Sequence, residues 1–168
     1  MHYTGLYQSP VGEILLAADE IGVVGLWFQG QKYFAKCLDK ENNVPRETPI
    51  IQELRRWLDI YFSGGIPDFT PPIHLIGTNF QIEVWNILRQ IPYGKTMTYG
   101  CIADQIARNR GVARMSSRAV GSAVGKNNIS LIIPCHRVVG ANNLLAGYAG
   151  GIDKKIKLLK LEGVFNKN

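Results

Sequence analysis

The chain has 168 residues, 46% hydrophobic and 19% charged, enough to build one globular domain or two small ones sharing an interface. No stretch reaches the apolar length of a membrane span and the N-terminus has no signal-peptide pattern, so a secreted or membrane protein is not expected. The net charge of +6 is unevenly spread: residues 1–75 hold 6 Lys and Arg against 9 Asp and Glu, and residues 76–168 hold 13 against 4. The basic C-terminal part is therefore expected to face a polyanion, most often nucleic acid.

Along residues 1–75, Tyr3–Gln8, Glu13–Ala18 and Val23–Phe28 read as antiparallel strands separated by turns at Ser9–Gly12 and Glu20–Gly22. Lys32–Asp39 reads as a short helix. Thr48-Pro49 opens a longer one, with Thr as N-cap and Pro at the first helical position. Its apolar face (Ile50, Ile51, Leu54, Trp57, Leu58, Tyr61) recurs at helical spacing and stops at Gly64-Gly65. Nothing here has catalytic spacing, so residues 1–75 are expected to be a small α/β scaffold domain. The proline-rich run from Pro67 to Gly77 marks the boundary.

In residues 76–168, Thr78-Asn79-Phe80-Gln81 matches a capping box and starts a helix reaching about Arg89. Thr98 caps a short helix over Tyr99–Ala107. After a basic connection with Arg108, Arg110 and Arg114, Ser116 or Ser117 caps a second helix to Val124, where Gly125 is a helix stop. Two short helices, a turn and an extended segment read as a helix-turn-helix with a wing-like loop. The second helix carries Ala119, Gly121, Ser122, Ala123 and Gly125. Glycine inside a helix costs about 1 kcal/mol relative to alanine. Close helix packing would explain such small residues. So would entry of the backbone into a minor groove only about 6 Å wide.

The three cysteines, Cys37, Cys101 and Cys135, form no Cys-x-x-Cys pair, which argues against a disulfide framework or a cysteine-rich zinc site. A reducing, intracellular setting fits, and no metal is expected. Cys135 differs from the other two in its surroundings. Leu131, Ile132 and Ile133 read as a short strand, Pro134 disfavours helix at Ile133, and Cys135 is followed at once by His136 and Arg137. A cysteine attacks as thiolate, and a neighbouring imidazole or cation lowers its pKa. On an extended chain adjacent side chains point to opposite sides, so a water is expected to bridge Cys135 and His136.

Pro134-Cys135-His136-Arg137-Val138 resembles the active-site signature of the O6-alkylguanine-DNA alkyltransferases. The flanks Arg118-Ala119-Val120-Gly121, Asn127, Tyr148-Ala149-Gly150-Gly151 and Leu158–Gly163 agree with it. The resemblance is close over residues 78–163 and extends to layout only before that. It implies a ribonuclease-H-like N-terminal scaffold (1–75) followed by a winged-helix-like catalytic and DNA-binding domain (76–168). It implies irreversible transfer of an alkyl group from O6-alkylguanine, and from O4-alkylthymine, in double-stranded DNA to Cys135. No cofactor is required; a cytoplasmic monomer is expected.

By the same resemblance His136 and Glu162 form a relay with Cys135 and a water, and Tyr99 donates to N3 of the departing guanine. Arg118 fills the base stack after the nucleotide is flipped, with further DNA contacts from Ala119, Ser122, Arg114 and Lys126. Asn127 ties the second helix to the active-site loop, and Val138, Tyr148, Ala149 and Gly150 line the guanine pocket. Two departures stand out. Ala149 replaces a serine common in the family, and about five extra residues lie within Asn109–Ser117. Two other functions remain open at this point: a non-catalytic lesion-binding relative, which would lack the cysteine, and a cysteine hydrolase, which would need an oxyanion hole not evident before Cys135.

Overall fold

Three strands near the N-terminus form where β-branched and aromatic residues alternate between turns. The structure, a computed structural model, describes residues 1–145 and 147–165. It divides into two units, one comprising Met1–Ile76 with Asn128–Ser130, the other Gly77–Asn127 and the chain from Leu131 onward.

The first unit is built on β1 (His2–Ser9), β2 (Gly12–Ala18), β3 (Val23–Phe28) and β4 (Asn43–Pro45), in spatial order β3-β2-β1-β4. A two-residue loop joins β1 to β2. Ser9 closes it, its Oγ accepting from Val11 N–H and donating to the Gly12 carbonyl. Asp19 closes the next turn by accepting from the N–H groups of Ile21 and Gly22, both at 2.9 Å. Every residue of β3 is buried. Its outer side is covered by bridges from Val23 to Ile73 and from Leu26 to Ile129, so it is not an open edge. Helix α1 (Pro49–Phe62) starts at Thr48, whose side chain accepts from Ile51 N–H, and packs Ile51, Leu54, Trp57, Leu58 and Tyr61 inward against β1–β3. Each such buried aliphatic side chain contributes about 1.5–3 kcal/mol.

Gly25 is required by its neighbour, since a Cβ there would lie 1.9 Å from the Trp27 ring. Gly25→Ala must displace that indole from the core. The expected loss is about 3 kcal/mol, read as a fall of several degrees in Tm.

Two features of this unit differ from the expectation. The sheet is mixed rather than wholly antiparallel, because β4 pairs parallel to β1 (Tyr3 opposite Val44). β4 has three residues and ends at Pro45, too short for any alternation to be read, and proline is confined to sheet edges. Lys32–Asp39 is a run of turns, not a helix, with Tyr33 (φ 58°) and Ala35 (φ 52°) in the left-handed region. Burial overrides local preference there: Phe34, Ala35, Cys37 and Leu38 pack on Ala17, Val24 and Trp27. His2 is half-buried, and its Nδ1 accepts from Asp39 N–H at 3.0 Å. His74 pairs with Asp19 at 2.5 Å.

The second unit contains α2 (Asn79–Leu88), β5 (Met97–Thr98), α3 (Tyr99–Arg110), α4 (Ser117–Gly125), β6 (Val138–Val139) and α5 (Ile152–Leu161), with 3₁₀ turns at Cys135–Arg137 and Ala141–Asn143. The capping box at Thr78 is formed in full. Helix α2 packs against α3 and α4, and Trp85 Nε1 donates to the Ala123 carbonyl at 2.9 Å, fixing α4 near its end. β5 and β6 pair in parallel, Met97 opposite Val138. α3 runs further than the sequence indicated. It takes in Arg108 and Arg110 and ends at Gly111 in the left-handed conformation (φ 66°). α4 likewise includes Gly125, and Lys126 is its C-cap.

Candidate active site

The segment before the nucleophile is not a strand. Leu131 has φ 72°, and residues 131–133 turn. Pro134 (φ −81°, ψ 66°) lies at the centre of an inverse γ-turn closed by Cys135 N–H on the Ile133 carbonyl at 2.8 Å. Cys135–Arg137 then form a single 3₁₀ turn. The alternation expected of an extended chain therefore does not apply to Cys135 and His136. Asn127 secures the approach: its Nδ2 donates to the Ile133 carbonyl at 2.8 Å, tying the end of α4 to the turn that presents Cys135.

Cys135 is 5% exposed and His136 is fully buried. His136 Nε2 lies 2.5 Å from Glu162 Oε2, and Arg137 donates from Nε to Glu162 Oε1 at 2.7 Å and from Nη2 to Oε2 at 3.2 Å. Burial opposes ionisation of Glu162, but the hydrogen bonds and charges of His136 and Arg137 outweigh it and hold the carboxyl below its ordinary range. Burial pushes His136 down against the pull of Glu162, so the ring is neutral at neutral pH. With the carboxylate ionised, Nε2 carries the ring proton and Nδ1 is the accepting nitrogen. The arrangement can take a proton at His136 and compensate the charge it gains.

Tyr99, the first residue of α3, is pushed up by burial and by the charge of Cys135, so its phenol remains a donor. A Cβ at Gly147 would lie 3.8 Å from its hydroxyl, and one at Gly121 would lie 3.8 Å from its ring. Val138 is buried, while Tyr148, Ala149 and Gly150 are half-buried in the loop before α5. On α4, Arg118 and Ser122 are exposed, Ala119 is half-buried, and Lys126 is half-buried at the helix end. Arg114 is exposed in the 111–116 connection. Arg110, the other arginine near the added residues, is held in a two-pronged pair by Glu83 and lies over the Phe80 ring.

Lys155 escaped the sequence reading. It is fully buried in α5, and its Nζ donates to the carbonyls of Val138 (2.6 Å) and Gly147 (3.0 Å), joining two walls around Cys135. Burial lowers its pKa, and the charge of Cys135 opposes that shift. The signal was present: 155, 158, 159 and 162 share one helical face, and a lysine among two leucines on that face needs buried acceptors. Among the described residues no group of three or more His, Cys, Asp or Glu side chains could hold a metal, and no helix is long and apolar enough to cross a membrane.

Residues 2–75 match the family model of the 6-O-methylguanine DNA methyltransferase ribonuclease-like domain, and residues 79–164 that of its DNA binding domain. The methylated-DNA–protein-cysteine methyltransferase of Methanosarcina acetivorans is 44% identical, over 96% of this chain and 98% of that protein. That of Mycobacterium bovis is 50% identical over 96% and 92%. The crystal structure of Mycobacterium tuberculosis OGT in complex with DNA superposes with a TM-score of 0.81 at 38% identity, covering 96% of this chain and 91% of that one. The chain belongs to the 6-O-methylguanine DNA methyltransferase family.

Proposed function

We propose that this protein repairs DNA by direct reversal, moving the alkyl group of O6-alkylguanine in double-stranded DNA, and of O4-alkylthymine, onto Cys135 in a single turnover. The observation that carries this reading is Cys135 on one 3₁₀ turn with a buried imidazole that is hydrogen-bonded to Glu162. The thiol proton passes through a water to His136, and Sγ attacks the alkyl carbon in line. An S–C bond forms as the C–O6 bond breaks. Tyr99 donates to N3 as the guanine leaves, because a donor aimed at developing charge is among the larger catalytic terms. The proton lost by the thiol equals the one gained by the guanine restored in the DNA, so no cofactor enters. A thioether has no hydrolytic route back, which makes the protein a stoichiometric reagent.

On this reading residues 1–75 are a ribonuclease-H-like scaffold and residues 76–168 a winged-helix-like catalytic domain, with α3 and α4 as its helix-turn-helix. The small residues of α4 are not all demanded by packing: a Cβ at Gly125 would meet nothing within 4 Å and one at Gly121 only ordinary contact. They suit entry into the minor groove. Arg118 then occupies the stack vacated by the flipped base, Ala119 and Ser122 follow it along the groove, and Arg114 and Lys126 reach phosphate. Val138, Tyr148, Ala149 and Gly150 enclose the guanine. The protein acts as a monomer in the reducing cytoplasm, where Cys135 stays a thiol.

Intact mass spectrometry after mixing with a duplex containing O6-methylguanine is expected to show one methyl group per chain, on Cys135, with no second turnover. Repeated turnover without a covalent product would instead indicate a hydrolase. Glu162→Gln is expected to slow transfer from duplex and from free O6-benzylguanine alike, by about 100-fold, since both need the relay.

A further inference from the structure

The His136–Glu162 pair is enclosed by groups to which the reaction above gives no task. Glu162 Oε1 accepts from Arg137 Nε and from the backbone N–H of Gly94 at 3.1 Å, and Oε2 accepts from His136 and Arg137 Nη2. Arg137 is itself fixed. Its Nη1 donates to the Ile91 carbonyl at 2.8 Å, and its guanidinium lies 5.7 Å from the centre of the Tyr93 ring. Gly94 has φ 75°, and a Cβ there would come within 3.1 Å of the Glu162 carbonyl, so the turn fits closely against the end of α5. We propose that Arg137 is a positioning residue that keeps Glu162 ionised, so that the proton leaving Cys135 stops on His136 and never moves on to Glu162.

The inference rests on the reading of His136 and Glu162 as the relay of Cys135. A buried carboxylate facing only a neutral imidazole would take up a proton itself. Arg137 brings a permanent charge into direct contact with the carboxylate, through Nε and Nη2. Lys155, on α5, spends its ammonium on the Val138 and Gly147 carbonyls beside Cys135. Tyr93, pushed up by burial and by the Glu162 charge, is a neutral phenol, as is Tyr99 on α3. The side-on fork of Nε and Nη2 also sets the plane of the carboxylate and thus the direction in which His136 is held. In the proton transfer, Nδ1 gains the thiol proton while Nε2 keeps its own and goes on donating it to the ionised Glu162.

The test is the pH dependence of single-turnover transfer from free O6-benzylguanine, measured on the full chain as wild type, Arg137→Gln and Arg137→Lys. Without the guanidinium the His136–Glu162 pair retains an extra proton to higher pH. The acid limb of Arg137→Gln is expected to move up by at least about one unit. Arg137→Lys keeps the charge but loses the fork; its rate falls about tenfold while its acid limb stays with wild type. Acid limbs that coincide in all three proteins overturn the inference. Should Arg137→Gln fail to fold, carboxyl carbon NMR of Glu162 in the wild type decides. Ionisation persisting below the ordinary glutamate value of about 4.3 supports it, and protonation above that value overturns it. Glu162→Gln separates the two readings: if it transfers at the wild-type rate, the relay itself fails. If it is slow while the Arg137 variants keep the wild-type limb, the relay stands and this inference falls.

Discussion

Cys135→Ala is expected to abolish alkyl transfer from both duplex and free-base substrates while leaving affinity for alkylated duplex within about twofold, because phosphate contacts made elsewhere dominate DNA binding. The other thiols cannot substitute. Cys37 is pushed up to about 11 by burial, leaving little thiolate at neutral pH, and Cys101 is exposed on α3, outside the 3₁₀ turn that carries His136. Intact mass after overnight incubation is the check, and any methyl adduct on this variant would reassign the nucleophile. The retained binding should weaken steeply with salt, as expected when several Lys and Arg side chains neutralise phosphates. Salt-independent affinity would contradict the role given to the basic half.

Arg118→Ala separates flipping from chemistry. The side chain is exposed on α4, and no ion pair among the described residues holds it. Extruding a base costs a few kcal/mol, and a planar cation filling the gap offsets part of that cost. Losing it should slow duplex repair by about 100-fold, yet leave transfer from free O6-benzylguanine unchanged. Single-turnover rates on the two substrates decide. Equal slowing on both would make Arg118 part of the pocket and remove the main support for groove entry by α4.

The helices were legible because their signals are local. Thr48, Thr78, Thr98 and Ser116 each accept from a backbone N–H as an N-cap should, and the buried face of α1 is the one its spacing marks. The pairing of His136 with Glu162 was legible only through the family motif, since neither residue declares the other by spacing alone. What stayed hidden depends on distant partners. β4 pairs with β1, a partner its own three residues do not announce, and the positive φ of Leu131 carries no local sequence signal. The pairing of Arg110 with Glu83 was not legible because the two lie far apart in sequence. Lys155 was passed over because a lysine on a helix is ordinarily read as solvated; its face, not its type, marked it.

Asn128–Ser130 belong to the unit built on β3, although the chain on either side of them belongs to the other unit. Leu26 N–H bonds to the Asn128 carbonyl at 2.8 Å, and Ser130 N–H returns a bond to the Leu26 carbonyl at 3.1 Å. The reactive cysteine follows five residues later, beyond the turn at Leu131. During synthesis β3 emerges long before its last neighbour does, and closing so long a loop carries an entropic cost that shorter pairings avoid. The pairing of Asn128–Ser130 with β3 is thus a late, long-range closure, completed only after the rest of that sheet has been synthesised.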